Sequence, residues 1–263
     1  MTSRADQAIA ALRKGHEDLT AVVRGLTSEQ LTGPSAASEW DLSQVISHLG
    51  SGAEINLEAV RASLEGRPAP EFEFNKGVWA RWDGMTPAER AVEFPIANQR
   101  LVETYEAFDA TQRAEHRIDV GWMPEPVDVA TSALLRLTEF AYHDWDVRVA
   151  LDPSATLAPE AAVLIDDRVE GLFGWIAKPA YLDGRTADLL VTLTDRGEQR
   201  GLRLADPVTL TEAPSSPDGE LSLTLESFLR LAAGRLGPAY TPADVKITGP
   251  ISLDDLRAVF PGY

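Results

Sequence analysis

The chain has 263 residues, 44% of them hydrophobic, a formal net charge of −17 and no cysteine. That length and apolar content support two modest domains or one large one and exclude wholesale disorder. The charge argues against a nucleic-acid partner and an anionic membrane surface, which both need a basic stripe, and the missing cysteines exclude disulfides, thiolate–metal ligands and a cysteine nucleophile.

The first half reads as helix. Residues 5–26 carry Ile9, Leu12, Leu19, Val22, Val23 and Leu26 near helical spacing. A second helix over 41–64 has Leu42, Val45, Ile46 and Leu49 on one face. In "MTPAER", Thr86 is an N-cap, Pro87 the first helical residue and Glu89 the partner in a capping box, opening a helix that runs to about Phe108. A fourth helix spans about 125–151 and stops at Asp152-Pro153. Four long helices predict a bundle.

Beyond Pro153 the texture changes. A helix is expected near 159–177, followed by short runs rich in Val, Leu and Thr, "DLLVTLTD", "GLRLAD", "PVTLTEA", "GELSLTL" and "ADVKITG", which read as strands. "TLESFLRLAAG" reads as a helix closed by Gly234, and "SLDDLRAVF" as a capped terminal helix. The expected organisation is therefore all-α over 1–153 and α+β over 154–263. No N-terminal signal pattern and no apolar run of membrane-spanning length is visible, so the expectation is a soluble, cytoplasmic protein. Lys14, Lys76, Lys178 and Lys246 are the lysines among 24 basic residues, an arginine bias that fits a GC-rich genome.

The fourth helix raises the chemical question. Arg136, Glu139 and His143 fall within about 60° of one another around its axis, while Leu134, Leu135, Leu137, Phe140 and Val147 point in several directions. A helix apolar all round is a buried one, and buried charges need partners. Glu139 and His143 at i, i+4 have the spacing at which two helical ligands close on one metal ion, and also the spacing of an ordinary helical contact. Among the four histidines, His48 is the candidate third ligand, from the margin of the second helix's apolar face, or else a hydrogen-bonded core residue. His16 and His116 lie in charged stretches and read as surface residues. Asp144 falls on a different side of the helix from Glu139, and Asp146 orients a neighbour or pairs with Arg148.

Two phrases carry a resemblance. "SEWDLSQVISHLG" resembles the tryptophan-then-histidine motif, and "LLRLTEFAYHDWDVRVAL" the Arg, Glu, His, Trp-Asp motif, of the DinB-like, mycothiol-dependent maleylpyruvate isomerase family. The order of elements agrees across essentially the whole chain. The resemblance implies an N-terminal four-helix DinB-like bundle followed by a smaller α+β domain resembling sterol-carrier folds. It implies zinc, or another divalent metal, held by His48, Glu139 and His143, with one coordination position open. It implies mycothiol as an external thiol, an actinobacterial source, and a monomer or homodimer. The thiol, its pKa lowered by the metal, would add to the cis double bond of maleylpyruvate, and rotation and expulsion would give fumarylpyruvate. A relative could use the same thiolate for S-transfer to a small electrophile.

The family's Gly-Arg element maps onto Arg235 in "LAAGRLGPAY", either a catalytic residue gripping a substrate carboxylate or a helix-end arginine on the C-terminal dipole. Asn75 and Arg81 lie where family members place a further helix entering the cleft, and are expected to bind substrate. Trp79 and Trp82 read as core or cleft wall. Residues 73–75 and the 110–125 connection are candidate pocket walls. The reading from a different class is a non-enzymatic metal- or ligand-binding module with a small apolar ligand in the second domain.

Overall fold

The computed structural model describes residues 2–262, and its four longest helices start on capping side chains. α1 (Arg4–Arg24) opens on a capping box between Ser3 and Asp6. A single turn, α2 (Ser28–Leu31), precedes the loop that ends at Asp41, which caps α3 (Leu42–Leu64) with Gln44. α4 (Phe72–Asp83) leads to α5 (Pro87–Glu106), whose cap is the Thr86–Glu89 box with Pro87 at its first turn, as read from the sequence. A short α6 (Ala110–Glu115) precedes a two-residue antiparallel pair, β1 (Arg117–Ile118) with β2 (Val127–Asp128).

The last long helix, α7 (Val129–Val149), is capped by Asp128. It starts later than the helical pattern predicts, because Val127 and Asp128 are committed to pairing with Ile118 and Arg117. That pairing is a non-local event, invisible in the periodicity of the segment itself.

The chain divides into two compact units, Met1–Ala161 and Ala162–Tyr263. In the first, α1, α5, α3 and α7 pack in a closed ring, and the seam between α3 and α7 is its most open side. The unit continues past Pro153, since the Trp145 indole donates to the Ala155 carbonyl at 2.9 Å and Leu157 is buried. α4 lies against α3. The contact is close because Gly50 has no side chain: a Cβ there would stand 2.1 Å from the ring of Trp82, which is fully buried.

The helix expected over 159–177 is two, α8 (Pro159–Asp166) and α9 (Val169–Ile176), broken at the polar pair Asp167-Arg168. β3 (Ala187–Leu193), β4 (Glu198–Leu204), β5 (Thr209–Thr211), β6 (Gly219–Leu223) and β7 (Lys246–Thr248) form one sheet in the order β5-β4-β3-β6-β7. β3 and β6 are parallel and the other pairs antiparallel. Ala187, Leu189, Val191 and Leu193 alternate inward along β3, the period-2 pattern of a strand with one buried face. α10 (Leu225–Ala232) ends before Gly234, whose φ of 72° favours glycine. α11 (Leu253–Val259) carries the expected serine cap, Ser252 with Asp255. No helix among the described residues is long and apolar enough to cross a membrane.

Gly50→Ala forces its methyl into the Trp82 ring. Overpacking of this kind costs about 1–3 kcal/mol, so the variant is expected to unfold at lower urea than the parent with an unchanged slope.

Candidate metal centre

α7 is buried around most of its circumference, and its polar stripe faces the open seam toward α3. Arg136 and His143 are buried, whereas the Glu139 side chain keeps 39% of its exposure. His48 enters from α3 with its Nε2 3.3 Å from Glu139 Oε2. His143 Nε2 lies 3.8 Å from the same oxygen, and the two imidazoles meet edge-on with ring centres 4.7 Å apart. One ligating atom from each of His48, Glu139 and His143 falls within 4.8 Å of the other two. The three residues singled out by sequence thus converge, and no other such group of His, Asp or Glu occurs among the described residues.

The donor set fits a divalent ion. A tetrahedral centre with ligands at about 2.0–2.1 Å requires donor–donor separations of about 3.3–3.4 Å, close to the 3.3 and 3.8 Å found on the two sides of Glu139. The tautomer of His143 is set from behind, where Asp146 Oδ2 lies 2.8 Å from Nδ1. Asp146 is fully buried, and a carboxylate there holds a proton on Nδ1, so that Nε2, which faces Glu139, is the nitrogen left to give up its proton in favour of a metal; such a carboxylate is the usual outer partner of a ligating histidine. Burial alone would push the Glu139 carboxyl up. The hydrogen bond from His48, together with the charges of His143, His48 and Arg136, outweighs it and holds the carboxyl at about 2, so the group is an anion across the physiological range.

Trp40 walls the centre, its ring 5.1 Å from His48 and 5.9 Å from His143. The loop that carries it is pinned. Ser35 donates through its N–H and its hydroxyl to the Trp40 carbonyl, and the Ala36 N–H donates to the Asp146 carbonyl at 3.2 Å. The residue that orients His143 therefore also anchors the loop that covers it.

Some expectations need correction. His16 is 5% exposed, not a surface residue: it faces Gln99 Oε1 at 2.9 Å between α1 and α5. His116 is half-buried, against Ser63 Oγ at 2.9 Å and the Phe108 ring. Of the alternatives for Asp146, it orients His143, while Arg148 pairs with Asp144 at 2.7 Å. The Asp144 carboxyl is pushed up to about 6 by burial, against the pull of Arg148.

Asn75 and Arg81 are on α4. Asn75 has a buried Oδ1 without a partner, and Arg81 is exposed and paired with Glu54. Trp82 is core, whereas Trp79 is 38% exposed and edge-on to Phe72. Arg235 belongs to the second unit, just beyond α10, and its guanidinium donates to the Ala233 carbonyl at 3.1 Å. Asn98 was not singled out by sequence, yet it binds Arg136 in the interior. Its signal is a polar side chain at the centre of the apolar face Phe94, Ala97, Leu101 and Tyr105.

Comparison with known proteins is consistent with this geometry. Residues 12–148 match the family model described as mycothiol maleylpyruvate isomerase N-terminal domain. Two uncharacterised proteins of Mycobacterium tuberculosis, from strains CDC 1551 and H37Rv, are each 26% identical over 157 residues, covering 59% of this chain and 73% of the relative. A crystal structure of the mycothiol-dependent maleylpyruvate isomerase superposes with a TM-score of 0.69 at 15% identity, covering 100% of both chains. A histidine-to-alanine mutant of that enzyme superposes equally well. At that identity the superposition speaks for the fold.

Asp146→Asn removes the carboxylate behind His143. Loss of such an outer partner costs about 10–100-fold in metal affinity. A zinc titration is expected to retain one site per chain and to weaken by that factor.

Proposed function

The chain belongs to the mycothiol maleylpyruvate isomerase N-terminal domain family, and on that footing we propose that it is a metal-dependent enzyme that activates an external low-molecular-weight thiol, mycothiol, for cis–trans isomerisation of maleylpyruvate or a related substrate. The observation that carries the reading is the convergence of His48, Glu139 and His143 on one point, with Asp146 behind His143. Three protein ligands leave a coordination position open, which distinguishes a catalytic from a structural zinc site. When bound, the cation supplies Lewis acidity that lowers the pKa of a thiol brought to it.

The chain's own residues do the rest. Glu139 brings a full negative charge to the ligand set. Asp146 holds the proton on His143 Nδ1, so Nε2 is the donor. Trp40 closes one side of the site with an apolar face and limits water around it. With no cysteine in the chain, the thiol has to come from outside.

A substrate carrying carboxylates needs cationic or amide partners, and Arg235, Arg81 and Asn75 are proposed for that role. Arg235 offers a planar fork suited to a carboxylate. Arg81 has to exchange Glu54 for substrate to take part. Asn75 can donate to a carboxylate only through its amide nitrogen, while its buried Oδ1, which has no partner, can accept from a donor group on substrate or thiol.

Metal analysis of the purified wild type against His48→Ala and Glu139→Ala tests the centre. About one divalent ion per chain is expected in the wild type and loss of it in both variants; equal stoichiometry in all three contradicts the assignment. Incubation with mycothiol and maleylpyruvate is expected to yield fumarylpyruvate only when the thiol is present, and not in either variant. Conjugates with other electrophiles in place of isomerisation would instead indicate S-transfer, and absence of thiol binding would indicate a binding module.

A further inference from the structure

The ligands come from two helices that meet along the most open seam of the bundle. The two helices run close together over less of their length there than the other adjacent pairs of the ring, so packing constrains the separation of His48 from Glu139 and His143 least at this seam. A hydrogen-bonded clamp spans the seam instead. Arg136, one turn before Glu139 on α7, donates from Nη2 to the Leu49 carbonyl at 2.7 Å, and Leu49 follows His48 directly on α3. The same Nη2 donates to Asn98 Oδ1 at 2.8 Å. Asn98 in turn donates to the Phe94 carbonyl on its own helix at 3.1 Å and reaches the Leu49 carbonyl at 3.5 Å. Three of the four long helices, α3, α5 and α7, are thereby tied at one guanidinium.

The surroundings are shaped to admit it. Gly52 faces the guanidinium, and a Cβ at that position would stand 2.9 Å from Nη1. Phe140, one turn along α7, lies beneath the cation at 5.8 Å from ring centre to Cζ. The arrangement is nevertheless expensive. Arg136 is 3% exposed, its hydrogen bonds go to two neutral oxygens, the Leu49 carbonyl and Asn98 Oδ1, and its Nε is buried without a partner. An apolar side chain of similar length would fill this space at lower cost, since buried charges rarely stabilise relative to well-packed apolar replacements. What an apolar residue cannot do is hold the Leu49 carbonyl and Asn98 at fixed distances from α7.

We propose that Arg136 is the positioning residue of the triad: through the Leu49 carbonyl and Asn98 it sets the spacing of α3 and α7, and so the affinity and geometry with which His48, Glu139 and His143 bind a divalent cation. Arg136 touches neither the cation nor the substrate. The inference rests on the metal assignment made above and adds the determinant of its geometry.

The test is a cobalt(II) titration of the full-length protein, followed by visible absorption, with thermal melts in parallel. Arg136→Met is expected to bind cobalt about 10–100-fold more weakly than wild type, the range for outer partners of metal ligands, with an altered visible band. Arg136→Lys, which reaches one acceptor at a time, is expected to restore part of that loss. Leu12→Ala, a core truncation on α1 outside the clamp, serves as the stability control. It is expected to lower the melting temperature while leaving cobalt affinity and spectrum unchanged.

Wild-type affinity and spectrum in Arg136→Met would overturn the proposal, as would an equal loss in Leu12→Ala. If Arg136→Met does not fold, Asn98→Ala is read in its place, with weaker binding expected and unchanged binding decisive against. Failure of the underlying metal assignment is separately visible: wild-type protein would then bind no cobalt, or His48→Ala would bind it as well as wild type, before Arg136 is altered at all.

Discussion

A carboxylate held between two imidazoles is an unusual thing to build into the side of a helix bundle, and the first unit is organised around it. Glu139 stands 3.3 Å from His48 and 3.8 Å from His143. It can remain ionised there because those rings and the Arg136 cation outweigh the cost of burial. Each nearby polar group answers to the same constraint. Asp146 is buried because it must stay on His143, Arg136 because it must reach Leu49, and Asn98 because Arg136 needs a second acceptor. Polar networks of this kind are tolerated in a core only when nearly every member is satisfied. The exception here is Arg136 Nε.

The rest of the bundle compensates in ordinary ways. Its long helices open on capping side chains, and Trp82 on α4 seals α3 through the notch at Gly50. α3 and α7 approach each other over less of their length than the other adjacent pairs of the ring. In a helix bundle, cofactor and metal sites are built from inward-facing side chains of facing helices. Here His48, Glu139 and His143 lie along the α3–α7 seam, and the Trp40 loop, pinned to α7 through Ala36, covers part of it.

Much of this was legible in the sequence because the signals are local or periodic. The Thr86-Pro87-Glu89 cap is a three-residue pattern, and Arg136, Glu139 and His143 share a face by arithmetic alone. Spacing could not say whether Glu139 and His143 serve a metal. His48, from a separate phrase, turned a pair into a candidate site. Where reading failed, long-range structure or a competing local signal was responsible. His16 sits among charged neighbours, yet it is four residues from Leu12 and three from Leu19, on the buried stripe of α1. Periodicity was the better guide there than local charge. The late start of α7 depends on the pairing of Val127 and Asp128 with a segment far back in the chain. The clamp on the Leu49 carbonyl involves a backbone atom, which carries no residue-type signal at all.

The central claim is that His48, Glu139 and His143 hold one divalent cation. It is tested most directly by a crystal structure of the protein with zinc and an anomalous difference map at the zinc edge. The account predicts a single strong peak per chain about 2.0–2.2 Å from His48 Nε2, a Glu139 carboxylate oxygen and His143 Nε2, with Asp146 still on His143 Nδ1. A zinc peak on other residues, or none at this triad under saturating zinc, would contradict it.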